Sequence, residues 1–345
     1  MKIRDFFSFN TLEISFPVYK TILAALLLLP LFLLTIEFLL RLFPIPESVL
    51  IPSFDREINY PEIDIKFSRL AAVERTKKIN CFLLGNSMVD VGLDPLILNS
   101  QSDLLGVENP ACFNMGMSAM MPETSTVLAD ILNKRFNPSL MFLGVSPLDF
   151  TGKDFLTRKF NRSPWFLYQE GNSSSEGWLI DNSSTYRYWL AFNKYRNPAY
   201  RGELENQLLL IEPFGLQVRQ KARGIFEVNP IQHLTEYQIS QNDLNGLINF
   251  TKLDSSTLKV VVIEMPIHPD FLSYYVPGGE EGYEKYFIQP VQKVLDEHGI
   301  LFVRTQPFIK SIVTPDGWRD QFHLSRKGAD QLSQWLVANI NQFTQ

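Results

Sequence analysis

Ser87 stands in the stretch LLGNSMVDVG, directly after a short apolar run. A serine in a Gly-Asn-Ser turn that closes a buried strand and opens a helix has its hydroxyl exposed. The unpaired N–H groups at a helix start can then hold an oxyanion. Gly-x-Ser turns also serve as plain helix caps, so the turn alone is ambiguous. A second pair lies far along the chain, where RDQFHLSRKGADQL places Asp320 three residues before His323. On a turn or a first helical coil, positions i and i+3 share a face. The carboxylate can hold the imidazole while the other ring nitrogen faces a nucleophile, the division of labour in a Ser-His-Asp triad. Ser325 reads as the cap of the terminal helix and needs no chemical role. The order along the chain is Ser, Asp, His. A GxSxG sequence is missing, which counts against the nucleophile elbow of α/β-hydrolases.

These side chains need a scaffold that carries them to one edge. Residues 78–85 (KINCFLLG) form a nearly continuous apolar run ending in Gly, as expected of a strand buried on both faces. Residues 111–116, 139–146, 258–265 and 299–305 are the further candidate strands. Helical stretches are expected at 123–133, 283–298 and 325–343. Strands alternating with helices predict βαβ units and a mostly parallel five-stranded sheet. The fold class is therefore α/β, a three-layer, doubly wound, flavodoxin-like domain. The first strand delivers Ser87 to its carboxyl edge, and the loop after the last strand delivers Asp320 and His323 to the same edge. His268 follows the fourth strand and points to that edge too, as a substrate contact or, more simply, as a loop cap.

The long interval between the third and fourth strands, an insertion over 151–255, is dense in aromatics. It holds Trp165, Trp178 and Trp189, three of the five tryptophans. It reads either as a cap that stacks on a substrate such as a sugar, or as a helical subdomain with its own aromatic core.

Taken together, the chain resembles the SGNH (GDSL-like) hydrolase superfamily. Gly85-Asn86-Ser87 looks like its first block, and Asp320-Gln321-Phe322-His323 matches its last. Asn114-Met115-Gly116-Met117-Ser118 looks like the second block, which implies Gly116 as a backbone oxyanion donor. The third block departs from the pattern. Gly144-Val145-Ser146 puts Ser146 where the family has Asn, so Ser146 is the expected but shorter-reaching third donor. An SGNH-like domain behind one N-terminal anchor is similar to membrane-tethered O-acyl transfer proteins of the lipoteichoic-acid D-alanylation and alginate acetylation type. That likeness implies acyl-ester chemistry on an acylated envelope glycan or lipid beside a multi-pass membrane acyltransferase. It implies no cofactor. A non-catalytic envelope-assembly or glycan-binding protein on the same fold is the alternative.

The anchor rests on residues 21–40, TILAALLLLPLFLLTIEFLL, a run long enough to cross ~30 Å of hydrocarbon. Its single charge, Glu37, lies four residues before Arg41 and can pair with it. Residues 18–43 are the expected transmembrane segment, 1–17 a short cytoplasmic segment, 44–76 a stalk and 77–345 the SGNH-like domain. Lys2, Arg4 and Lys20 precede the span, so the N-terminus is expected inside and the domain periplasmic or extracellular. An exterior domain would permit a Cys81–Cys112 disulfide, with two buried thiols the other option. Lys and Arg total 32 against 37 Asp and Glu, a net charge of −5 with no basic block, so nucleic acid is not an expected partner. The four histidines are scattered and the two cysteines cannot make a four-cysteine zinc site, so no metal centre is expected.

Overall fold

The computed structural model describes residues 16–42, 61–152, 163–218 and 237–341. Its centre is a five-stranded, wholly parallel sheet. The strands are β1 (Cys81–Leu84), β2 (Cys112–Asn114), β3 (Leu140–Val145), β4 (Lys259–Glu264) and β5 (Leu301–Val303). They lie in the order β2-β1-β3-β4-β5, each pair in parallel register. Every residue of β1, β2 and β3 is buried, as a sheet covered on both faces requires.

The longer helices, in chain order, are α1 (Phe16–Leu42), α2 (Pro61–Glu74), α3 (Ser87–Gly92), α4 (Pro122–Phe136), α5 (Ser175–Asn182), α6 (Ser184–Tyr195), α7 (Pro198–Leu210), α8 (Gln241–Thr251), α9 (Gln289–Glu297) and α10 (Arg326–Asn339). Helix α8 packs on α4 and α9, and α3 packs on α10. This is the α/β doubly wound arrangement that the strand–helix alternation predicts. Helix α4 stops where Asn137 turns left-handed at φ 47°. Ahead of α9, residues Glu284–Ile288 take a π-turn, next to Pro290, whose missing N–H leaves a carbonyl without its usual donor. The two cysteines are register partners on neighbouring strands and form a disulfide.

Helix α1 is long and apolar enough to cross a membrane: an 18-residue stretch within Val18–Leu42 reaches mean hydropathy 2.6, and none of that stretch is buried. Glu37 pairs with Arg41 at 2.9 Å, as the spacing predicts.

The segment 44–76, expected as a stalk lying on or near the domain, is helical in its described part. Its first part lies outside the described residues, but Pro61–Glu74 is a helix with Ile63, Ile65, Lys66 and Leu70 buried against the domain. Pro61 at its start and Glu62 and Asp64 in its first turn suit a helix N-terminus. The apolar spacing of IDIKFSRL then supplies a face to bury. In the aromatic insertion, Trp165, Tyr200 and Leu204 are buried while Trp178 and Phe192 face outward, so packing accounts for only part of its aromatic content. Residues 153–162 and 219–236 of that insertion lie outside the described residues.

Candidate active site

Ser87 is the first residue of α3, at the carboxyl end of β1. The approach to it depends on two glycines. Gly85 has φ +139°, and a Cβ there would lie 2.5 Å from Val89 Cγ2 and 2.6 Å from the Gly144 carbonyl oxygen. A Cβ on Gly144 would lie 2.2 Å from the same Val89 methyl. Only glycines at both places let α3 seat this close to the strand ends. Asn86 caps the helix, its side-chain oxygen accepting from the Met88 N–H at 2.6 Å.

The loop after β5 supplies the partners. The Asp320 carboxylate accepts from the N–H groups of Phe322 (3.2 Å) and His323 (2.9 Å), so it builds the turn that carries the histidine. The Arg319 N–H closes the turn on the His323 carbonyl at 2.9 Å. The His268 N–H ties the loop to the end of β4 through the Gln321 carbonyl at 2.8 Å. His323 Nδ1 lies 2.9 and 3.0 Å from the two Asp320 oxygens, and its Nε2 lies 2.9 Å from Ser87 Oγ. Residues 236 positions apart in sequence are thus joined in one hydrogen-bonded chain, Ser87–His323–Asp320. Both the His323 and Asp320 side chains retain slight exposure, 14% and 15%. Burial alone would raise the Asp320 carboxyl. The bond and charge of His323, with the Phe322 and His323 N–H groups, outweigh it and hold the group below the usual carboxylate range.

The two residues expected to complete an oxyanion hole are engaged elsewhere. The Gly116 N–H donates to Asn114 Oδ1 at 2.9 Å and is buried. The Ser146 hydroxyl and N–H both donate to Asp149, at 2.9 and 2.6 Å, and Ser146 is wholly buried. It caps the short turn Pro147–Phe150. Asp149 also accepts from the Asn86 amide at 2.5 Å. Burial pushes the Asp149 carboxyl up to about 7; the Ser146 and Asn86 bonds oppose the rise, and the nearby Asp243 charge adds to it.

Within the second block, Met115 and Met117 donate to the carbonyls of Leu83 and Gly85, Ser118 to Glu62, and Met120 to Met117. Among the described residues the Ala119 N–H makes no hydrogen bond. Ala119 is part-exposed and held at φ 60°, in the left-handed region that a non-glycine residue rarely enters. Its N–H is thus left unbonded on a left-handed turn five residues after the second strand, a feature the sequence pattern did not signal.

Lys66, within the expected stalk, was missed as well. Its ammonium bonds Asp90 Oδ1 (2.6 Å) and the carbonyls of Asn114 (3.2 Å) and Gly116 (2.5 Å). One buried cation therefore joins α3, which carries Ser87, to the loop after β2. Asn114 adds two further bonds, from Nδ2 to the carbonyls of Val89 in α3 (2.8 Å) and of Leu93, the residue that follows α3 (2.9 Å). His268 caps a short helical turn by accepting from the Asp270 N–H at 3.3 Å and meets Trp318 edge to face, in keeping with the capping option. No group of His, Cys, Asp and Glu able to hold a metal ion occurs among the described residues.

No family model and no curated protein matches the chain. Among solved structures it is similar to a lipase/acylhydrolase from Enterococcus faecalis, at 14% identity over 76% of this chain and 96% of that one, with TM-score 0.36. It is similar to a psychrotrophic esterase from Pseudoalteromonas sp., at 10% identity over 77% and 98%, with TM-score 0.37. It is also similar to an acetylxylan esterase from Geobacillus stearothermophilus, at 11% identity over 76% and 96%, with TM-score 0.36. The sheet order β2-β1-β3-β4-β5 is that of a doubly wound α/β domain.

Proposed function

We propose that this chain is a membrane-anchored serine ester hydrolase or O-acyltransferase. The observation that carries the reading is the 2.9 Å approach of His323 Nε2 to Ser87 Oγ, with Asp320 on the other ring nitrogen. In this mechanism His323 takes the Ser87 proton as the oxygen attacks an acyl carbonyl. Asp320 fixes the ring's tautomer and stabilises the imidazolium that forms. The carbonyl oxygen becomes an oxyanion held by the N–H groups of Ser87 and Ala119, in place of the expected Gly116 and Ser146. The protonated His323 then gives its proton to the leaving alcohol, which departs and leaves an acyl-serine. Water or an acceptor hydroxyl attacks that ester in the second half, again through His323.

A hole built from two backbone donors favours transfer over hydrolysis. One donor is worth ~3 kcal/mol, about 10²-fold in rate. A well-oriented acceptor can restore that loss, because positioning supplies up to ~7–11 kcal/mol. The acceptor class we infer is a hydroxyl of an acylated envelope glycan or lipid, reached from the anchored domain and handed on beside a multi-pass membrane acyltransferase. On this reading the domain lies outside the inner membrane.

The test is fluorophosphonate labelling of the full chain in detergent, with turnover of a short-chain acyl ester measured alongside. Wild type should label, and Ser87→Ala and His323→Ala should abolish both signals while keeping the fold. Equal turnover in wild type and Ser87→Ala would remove Ser87 from the chemistry. The inward bonding of Gly116 and Ser146 favours the second reading, a non-catalytic envelope-assembly or glycan-binding protein. Folded wild type that neither labels nor turns over an ester would make that the better description.

A further inference from the structure

The last turns of α1 are attached to the aromatic insertion. Glu37 accepts from the Ser183 hydroxyl (3.0 Å) and from the N–H groups of Ser184 (2.7 Å) and Thr185 (2.9 Å), so a side chain of the apolar helix caps the start of α6. Arg41 donates to the Asn182 carbonyl, the last residue of α5, at 2.6 Å. Four hydrogen bonds therefore fix the α5–α6 junction at the level of Glu37, five residues inside the end of the apolar span Val18–Leu42. At 1.5 Å per residue that is ~8 Å from the end of the span, the depth of a membrane–water interface.

From this junction α6 carries an outward-facing stripe. Trp189 and Phe192 follow Thr185 at i+4 and i+7, on one face, and are 47% and 62% exposed. Trp178, one turn before Asn182 on α5, is 51% exposed. Two cations sit against the far end of the stripe: the Arg196 guanidinium lies 5.9 Å from the Phe192 ring centre and that of Arg201 5.6 Å from Tyr195. Exposed Trp and Tyr with Arg close by is the composition of a membrane-interface belt, where amphipathic rings lie at headgroup level.

We propose that the α5–α6 surface rests in the headgroup region of a phospholipid bilayer, continuous with the span of α1. The inference builds on the membrane-anchor reading and assigns a second, in-plane contact. Its consequence reaches the site. Asp64 on α2 accepts from Tyr200 (2.6 Å) and Lys194 (3.4 Å), while Lys66 on the same helix holds the loop behind Ser87. One rigid path thus runs from the interface helices to Ser87, which sets the height of the serine above the bilayer and suits an acyl ester that is itself lipid-borne.

The experiment uses the full chain reconstituted in phosphatidylcholine vesicles with a minority of phosphatidylglycerol. An environment-sensitive fluorophore is placed at Phe192→Cys, at Leu28→Cys within α1, and at Glu297→Cys as an exposed control. The native cysteines are held in their disulfide. Lipids spin-labelled near the headgroup should quench roughly half or more of the emission at position 192 and little at 297. Lipids labelled deep in the chain should quench position 28. Quenching at 28 with none at 192 overturns the interface contact and leaves the anchor standing. No quenching at 28 overturns the anchor, and the contact with it. A blue-shifted but unquenched probe at 192 means that a second copy of the chain covers the surface, which overturns the lipid contact. Quenching at 297 equal to that at 192 overturns it too.

Discussion

The Lys66 ammonium lies 2.6 Å from Asp90 Oδ1, and both side chains are completely buried. Lys66 comes from the helix that follows the apolar span, and Asp90 from the helix that begins with Ser87. Truncating one member of a buried ion pair strands the other charge and typically costs ~3–5 kcal/mol, whereas replacing both with apolar groups is far milder. Lys66→Met should therefore lower the melting temperature by roughly 6–20 °C. Lys66→Met combined with Asp90→Leu should recover part of that loss. Circular dichroism melts of the variants decide it. A Lys66→Met chain as stable as wild type would mean that the pair does not hold the loop.

Asp320 is the group whose charge the candidate site depends on. Replacing it with Asn keeps the shape but allows the wrong ring tautomer, so Asp320→Asn should cut ester turnover by roughly 10²–10⁴-fold. Its lowered pKa also bears on stability. A carboxyl held below its unfolded value contributes stability above that value and loses it as pH falls through the folded one. Acid unfolding of Asp320→Asn should accordingly be shallower than that of wild type at the acid end of the titration. Turnover within threefold of wild type would separate Asp320 from the chemistry.

Ser146 distinguishes two roles. A hydroxyl that held the oxyanion would cost ~10²-fold in rate when removed. A hydroxyl that only donates to Asp149 would cost ~0.5–2 kcal/mol of stability and little rate. The buried contact leads us to expect the second pattern for Ser146→Ala, with turnover changed less than about threefold. Ser146→Asn should not speed hydrolysis, because an amide there meets Asp149 and not the ester. A tenfold gain on Ser146→Asn would restore the oxyanion role.

Asp149 should leave a signature in the pH dependence of stability. Its carboxyl moves from 3.8 to about 7, chiefly through burial. Across that window the folded chain keeps a proton that the unfolded chain releases, so this group removes stability as pH rises from about 4 to about 7. Asp64, raised to about 6, acts in the same direction, so the informative quantity is the difference between variants. Asp149→Asn cannot ionise, and its melting temperature should fall less than that of wild type over the window. Parallel curves would show that Asp149 titrates as an ordinary exposed carboxyl does.

Local chemistry in the sequence was enough for the strand alternation, the apolar span, the Glu37–Arg41 pair and the Ser87 and Asp320/His323 motifs. Each of these depends on neighbours a few residues away: a run of buried residues, a helical turn, a carboxylate that closes its own turn. The parallel order β2-β1-β3-β4-β5 then brings the motifs together, since every strand points its carboxyl end the same way. What the tertiary structure alone decided is where each hydrogen bond goes. Gly116 and Ser146 carry suitable donors at suitable sequence positions, but Asn114 and Asp149 reach them first. Lys66 stands in an ordinary amphipathic helix, and nothing in its neighbourhood signals that its partners lie at positions 90, 114 and 116. The same holds for Glu37 at the start of α6, about 150 residues away. A polar group bonds whatever partner the packed chain places beside it, and over such separations the fold selects that partner while the local pattern does not.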